Sequence, residues 1–384
     1  MKTVRMRRGD APGRGEGGGA VSHTNMGIEE FRRQIDTIDS QILELLNRRA
    51  EIVVRVGEEK AKGNVAYHSP QREGEIIDRL TGENQGPFPT RAIKAVYREI
   101  LSACLSLEQP LKVAYLGPQA TFTHMACMKQ FGLLAEYISL RGIGEVFAEV
   151  EKGKADYGVV PVENSTEGVV SHTLDLFVDS DLKICGEILM EVSHHLLSKP
   201  GEKSRIQAIY SHPHAIAQSR KWLEANMAGV AIRDVPSTAA AAELAARDET
   251  AAAIASELAS RLYDLKVVAS RIEDSPYNFT RFLIIGQATC PPSGQDKTSI
   301  LFTIRDRVGA LYRMLAPFAH HEINLTKIES RPSRYRVWEY IFYVDFEGHT
   351  DDPSVTAALE ALRDECLFLK VLGSYPKEPL RAKS

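Results

Sequence analysis

The hydrophobic periodicity of this chain changes twice, and each change marks a different way of burying apolar surface. Between residues 28 and 61, apolar side chains recur every three or four positions, at Ile28, Phe31, Ile35, Ile38, Ile42, Leu45, Ile52 and Val56. That spacing predicts one long helix with a single apolar seam. Shorter helices are expected near 71–84 and 90–108, the second with Ile93, Tyr97, Ile100 and Cys104 on one face. From Leu111 the pattern becomes short apolar runs alternating with helices, as at Lys112–Leu116, Tyr157–Val162, Ala208–Ser211, Ala251–Ala255 and Phe282–Gly286. This predicts an α/β domain over 111–288. After the linker Thr289-Cys290-Pro291-Pro292-Ser293-Gly294, residues 297–376 read as β-α-β-β-α-β: Ser299–Ile304, Leu311–Ala319, Asn324–Glu329, Trp338–Phe346, Pro353–Arg363 and Leu367–Ser374. That order is ferredoxin-like.

Composition narrows the function classes. The 384 residues are 43% hydrophobic and 26% charged, with a net charge of −4. There is no basic excess to hold nucleic acid, and no apolar run near the ~18 residues of a membrane span. Five scattered cysteines without a CxxC give neither a disulfide framework nor a zinc site, which points to a reducing cytoplasm and no metal. Residues 1–25 hold six glycines and five Lys/Arg but almost no large apolar side chain. They are expected to be a disordered tail without the apolar core of a signal peptide.

The helical segment carries charge where a core residue belongs. Arg49 breaks the apolar row, with Arg32 and Lys60 on the adjacent column. A basic residue in such a slot is either paired with an internal carboxylate such as Asp39 or Glu51, or serves a charged ligand. Downstream, four segments set small polar residues beside apolar strands: Val159–Ser165, Ile209–Pro213, Val235–Thr238 and Asn278–Phe282. Three of them end strands, and Asn278–Phe282 stands at the mouth of one. Polar tips near helix starts suit a small anion. Gly117-Pro118-Gln119-Ala120-Thr121 opens a helix in the same way. Plain helix caps are the structural alternative. His194-His195 and His212 read as structural, and Lys297-Thr298 after Gly294 lacks the glycine spacing of a phosphate loop.

The stretch Asn278-Phe279-Thr280-Arg281-Phe282, with Glu163-Asn164-Ser165-Thr166 and Ser211-His212-Pro213, resembles prephenate dehydratase. Arg32, Arg49, Lys60, Arg72 and Glu73 match the pattern of chorismate mutase, and Gly309-Ala310-Leu311 with Glu329-Ser330-Arg331-Pro332 match the phenylalanine-binding motifs of regulatory ACT domains. From about residue 27 to 376 the chain resembles the bifunctional chorismate mutase/prephenate dehydratases of phenylalanine synthesis. The resemblance implies a multidomain protein. An all-α mutase domain (26–109) precedes a two-lobed, periplasmic-binding-protein-like α/β dehydratase domain (111–288) and an α+β ferredoxin-like ACT domain (297–376). It implies chorismate and prephenate as substrates, L-phenylalanine as feedback effector, no cofactor, and a homodimer or homotetramer. A secreted solute-binding protein would share the α/β fold but has no need of Thr280-Arg281. A vestigial helical domain would have no need of the intact basic set.

The same resemblance assigns residues. Lys60 and Glu108 take donor positions toward the ether oxygen of chorismate, and Glu108 must be protonated to donate. Ser69 and Cys104 stand where some members carry Asp and Ser, at positions that contact the ring hydroxyl of chorismate. Thr280 matches the proton donor to the leaving hydroxyl of prephenate, and Arg281 is expected to hold a carboxylate. Asn164, Ser165, Thr166, Ser211, Gln218, Ser237, Thr238 and Phe282 match binding positions. Geometry adds that Arg32 and Arg49 lie about 25 Å apart along a helix, beyond the about 20 Å that two arginines and a small dianion span. An antiparallel partner chain could bring the two together.

Overall fold

The computed structural model describes residues 22–63, 70–108, 110–304, 307–332 and 340–378. The chain divides between Val56 and Gly57 into two compact units. The first is built on α1 (Ser22–Gly63), which continues into the second. Its seam forms as the periodicity predicts, but it faces outward. Ile28, Phe31, Ile35, Ile38, Ile42 and Leu45 are all exposed, Phe31 at 65% and Leu45 at 64%. Six large apolar side chains along one helix face are more than a stable solvated helix leaves bare.

In the second unit, α2 (Pro70–Glu83) and α3 (Thr90–Glu108) follow. α3 buries Ile93, Leu101 and Cys104. Gly57 lies against the end of α3: a Cβ there would stand 3.0 Å from Glu108 Cγ, so a larger residue would have to displace the Glu108 side chain.

The α/β region forms two sheets. β1 (Lys112–Leu116), α4 (Phe122–Phe131), β2 (Glu136–Leu140), α5 (Ile143–Glu151), β3 (Tyr157–Asn164), the two-residue β4 (Gly168–Val169), α6 (Ser171–Asp179) and β5 (Lys183–Glu191) come first. β6 (His195–Ser198), β7 (Ala208–Ser211), α7 (Pro213–Gln218), α8 (Arg220–Asn226), β8 (Ala231–Asp234), α9 (Thr238–Arg247), β9 (Ala251–Ala255), α10 (Glu257–Leu262) and β10 (Lys266–Ala269) then build the second sheet. β11 (Phe279–Gly286) returns to the first. The strand orders are β2-β1-β3-β11-β5, with β4 on β3, and β10-β6-β9-β7-β8. The chain thus crosses between lobes twice, after β5 and after β10, as the two-lobed expectation requires. β3 and β11 are antiparallel neighbours, with Thr280 opposite Asn164 and Arg281 opposite Glu163.

The last module runs β12 (Asp296–Ile304), α11 (Ala310–His320), β13 (Leu325–Pro332), β14 (Tyr340–Glu347), α12 (Pro353–Glu365) and β15 (Cys366–Pro376). Its order is β13-β14-β12-β15, antiparallel throughout. Trp338, expected to open the third strand, lies outside the described residues. Phe302, Met314, Phe318, Val344, Phe346, Leu359 and Leu362 fill the module's own core. The other side of the sheet packs on the first lobe. Leu301, Ile341, Tyr343, Leu372 and Tyr375 share one buried cluster with Val160, Val162, Leu174, Phe177, Ile184 and Leu283. At β15, a Cβ on Gly373 would come within 2.2 Å of the Ile184 carbonyl oxygen of β5. Gly373→Ala should therefore cost at least about 2 kcal/mol, because the obstacle is backbone and cannot swing away. Denaturant unfolding of the variant should show the loss, and a wild-type midpoint would mean the two sheets are not held this close.

Candidate active sites

Between the two lobes lies a cavity of about 550 Å³. Thr280 and Phe282 reach it from β11, Asn164 from the end of β3, Gln218 from α7, and Ser237 and Thr238 from the start of α9. Thr121, Phe122, Thr123, His194, His212 and His214 complete much of the wall. No Lys or Arg is among the lining residues. What the cavity offers an anion is hydroxyls, amides and helix starts. Thr121 caps α4 by accepting from the His124 N–H, and Ser237 caps α9 by accepting from the Ala240 N–H at 3.0 Å. The capping expected at Ser237 is thus present, and it leaves the remaining N–H groups of that first turn toward the cavity end of the helix.

Thr280 belongs to a directed hydrogen-bond chain. The Asn164 side-chain carbonyl accepts from the backbone N–H groups of Thr166 (2.9 Å) and Glu167 (3.0 Å), which fixes the amide's orientation. Its NH2 group then donates to Thr280 Oγ1 at 2.9 Å and to the side-chain oxygen Oδ1 of Asn278 at 3.0 Å. With its oxygen acting as acceptor toward Asn164, the Thr280 hydroxyl keeps its own proton for another partner. Asn278 in turn donates to Gln218 Oε1 at 2.8 Å, and the same oxygen meets His194 Nε2 at 2.8 Å. An amide oxygen only accepts, so His194 carries its proton on Nε2. Gln218 also donates to Thr166 Oγ1 (2.9 Å) and Glu167 Oε1 (3.1 Å), tying the second lobe to the first across the cavity mouth.

Four expected cavity residues are not in its wall: Arg281, Ser211, Ser165 and Thr166, the last bonded to Asn164 and Gln218. Successive strand residues point to opposite faces, so the chain that turns Thr280 into the cavity turns Arg281 away from it. Arg281 is buried against Glu187 (2.7 Å), Asp345 (2.6 Å) and Tyr375 (3.0 Å). Despite its burial, the Asp345 and Glu187 carboxylates hold the guanidinium protonated more firmly than usual, and burial pushes the Tyr375 hydroxyl well above its ordinary range. Ser211 is fully buried and donates to the Ile254 carbonyl at 2.7 Å, locking β7 to β9. Ser165 bridges the Tyr277 carbonyl and the Phe279 N–H at 2.7 and 2.9 Å, fastening the start of β11. Nor does Glu163-Asn164-Ser165-Thr166 open a helix: it turns directly into β4, and α6 begins at Ser171. The histidines read as structural are partly cavity wall. Only their position after β5 and before α7 could have signalled that.

In the helical region, Arg32 pairs with Glu29 at 2.7 Å on the exposed face of α1. Arg49 is half-buried, and its Nη1 has no hydrogen-bond partner among the described residues. In the second unit, Lys60 Nζ lies 3.0 Å from Glu108 Oε2, with the Glu108 side chain only 7% exposed. The two positions expected to donate are thus paired with each other, with Glu108 accepting from Lys60. Cys104 is buried, Glu73 half-buried, and Arg72 pairs with Glu75 at 3.0 Å on the surface. Ser69 lies outside the described residues.

Comparison with known proteins covers most of the chain. Family models for chorismate mutase type II, prephenate dehydratase and the ACT domain match residues 31–109, 113–290 and 298–364. A bifunctional chorismate mutase/prephenate dehydratase of Aquifex aeolicus is 51% identical over 358 residues, 92% of this chain and 99% of the relative. The Pseudomonas aeruginosa protein of the same name is 45% identical over 359 residues, 92% of this chain and 98% of its own length. This chain belongs to the bifunctional chorismate mutase/prephenate dehydratases. A crystal structure of the prephenate dehydratase of Arthrobacter aurescens in complex with L-Phe superposes with a TM-score of 0.65 at 35% identity, covering 70% of this chain and 90% of that one.

In the ACT domain, Gly309 caps α11 with φ +73°, the left-handed region that favours glycine. Ala310 is buried and Leu311 is 41% exposed. Glu329, Ser330, Arg331 and Pro332 finish β13, an edge strand, and Arg331 pairs with Asp175 of the dehydratase domain at 3.1 Å. Among the described residues no His, Cys, Asp or Glu cluster could hold a metal ion, and no helix is long and apolar enough to cross a membrane.

Burial holds the imidazoles of His124, His194, His195 and His212 below their ordinary 6.5. The unfolded chain takes up these protons first as pH falls, so stability is lost as pH drops below about 6.5 and is regained above it. The melting temperature should fall on going from about pH 7 to about pH 5, and His194→Gln should lessen the slope. An unchanged slope in that variant would exclude His194 as a contributor.

Proposed function

We propose that the cavity between the lobes binds prephenate and that Thr280 donates the hydrogen bond that draws off its ring hydroxyl. The reaction releases carbon dioxide and water as the ring becomes aromatic. Electrons from the breaking carboxylate C–C bond enter the ring and expel the hydroxyl, so the protein has to hold a dianion and assist one leaving group. The Asn164-to-Thr280 hydrogen bond is the observation that carries this reading: it frees the Thr280 proton for the substrate. Arg281, buried away from the cavity, does not take a substrate carboxylate. That work falls to Thr121, Ser237, Thr238 and the helix starts beside them. The apolar part of the wall, which includes Phe122 and Phe282, would strip water from a carboxylate seated there and so favour its loss.

The helical domain is read as the chorismate mutase, acting by holding chorismate folded and stabilising charge on the ether oxygen. The exposed seam of α1 supports a second copy of the chain as its cover, antiparallel to the first. Such a partner would bring its Arg32 toward Arg49, whose buried Nη1 is unpartnered among the described residues. L-Phenylalanine is the feedback effector in this reading, bound by the Gly309–Leu311 cap and the Glu329–Pro332 strand. The relative's complex with L-Phe supports it. The β13 edge is where two such modules would pair. The five cysteines are all free thiols, which fits a cytoplasmic enzyme.

Thr280→Ala should lower prephenate turnover at least about a hundredfold while chorismate consumption stays near wild type, and Arg49→Ala should do the reverse. One assay of both substrates on each variant decides it. Loss of both activities in a folded single variant would defeat the two-site reading. Mixing Arg32→Ala with Arg49→Ala chains should restore mutase activity at about a quarter of the sites, since half of randomly exchanged dimers are mixed and one of their two sites is intact. Failure to recover activity after verified subunit exchange would show that each chain builds its own site.

A further inference from the structure

The two strands that present Asn164 and Thr280 to the cavity present Glu163 and Arg281 to the ACT domain. Thr280 stands opposite Asn164 and Arg281 opposite Glu163 in the β3–β11 register. On the facing sheet, Lys327 of β13 and Asp345 of β14 are likewise register partners. Each residue of one pair meets an opposite charge of the other. Lys327 binds Glu163, and Arg281 Nη1 lies 2.6 Å from Asp345 Oδ2. Three of the four side chains are at most 14% exposed. The result is a square of alternating charge, two residues from each domain, lying directly behind the Asn164–Thr280 hydrogen bond.

We propose that this square is the contact through which the ACT domain positions the dehydratase donor. A strand residue cannot move without its chain neighbours. The spacing of Lys327 and Asp345 on the ACT sheet sets the spacing of Glu163 and Arg281, and with it the Asn164-to-Thr280 hydrogen bond. Any shift of β13 against β14 is felt at the cavity without passing through the Pro291-Pro292 linker. Glu163 and Arg281 are positioning residues in this scheme and touch no substrate. The inference rests on Thr280 and Asn164 being dehydratase machinery.

The test uses the full-length chain without phenylalanine. Lys327→Gln and the near-isosteric Asp345→Asn should each lower kcat for prephenate roughly tenfold by displacing the donor. KM should stay within about twofold, because the cavity walls that bind substrate are untouched. Chorismate consumption should stay at wild-type level. Exchanging charges in the double variant Glu163→Lys with Lys327→Glu should recover kcat relative to either single change, which a purely steric role would not give. Wild-type kcat in Lys327→Gln and Asp345→Asn, or no recovery in the exchange, overturns the proposal. Thr280→Ala separates the two levels. If it is inactive while the ACT variants turn over normally, only the positioning role fails. If it is active, the donor reading fails and takes this one with it.

Discussion

A buried guanidinium organises the second unit. Arg281 sits between the dehydratase strand β5 and the ACT strands β14 and β15, bonded to Glu187, Asp345 and Tyr375. Lys297 completes the balance at 2.7 Å from Glu187. An uncompensated charge in that position would cost several kcal/mol, so neither domain can present its half of the cluster to an apolar surface. The apolar cluster around it, with Tyr343 and Leu372 against Val162 and Ile184, supplies the favourable burial. Charge pairs fix the register and the apolar contacts supply the stability. The ACT domain is therefore built onto the catalytic lobe rather than tethered to it.

The consequence for chemistry is a division of labour along β11. With Arg281 committed to the domain contact, no lysine or arginine is among the residues lining the cavity, and in the proposed reaction a dianion would meet dipoles there in place of fixed cations. Preorganised N–H groups and hydroxyls stabilise charge without holding it as tightly as a fixed cation would, which suits a reaction that discards one carboxylate as carbon dioxide. The mutase end is built on the opposite principle. In the proposed reading its arginines and lysine would act as counter-ions, and the exposed apolar face of α1 is where a second copy of the chain would pack.

Much of this was legible in the sequence. The switch from three-four spacing to short apolar runs separated the helical and α/β regions. β1, β7 and β9 form over the residues their apolar runs mark, because a strand with neighbours on both sides in a covered sheet is largely buried and reads as an apolar run with polar punctuation; β9 is buried throughout. Thr280 and Asn164 stood out as small polar residues beside such runs. β11, however, begins at Phe279 and not at Phe282, so Thr280 and Arg281 lie inside the strand and face opposite ways. Local pattern marked the residues as a pair. Strand alternation separated them.

The sequence alone determined what each segment had to bury and which residue types stood ready for chemistry, since periodicity and helix caps act over a few residues. Which charges met was left to the tertiary structure. Lys60 and Glu108 are 48 residues apart, and Lys327 and Glu163 are 164 apart. No local rule connects positions so distant. A buried charge is tolerated wherever any opposite charge can reach it, so its partner is chosen by which sheets and helices the apolar cores bring face to face.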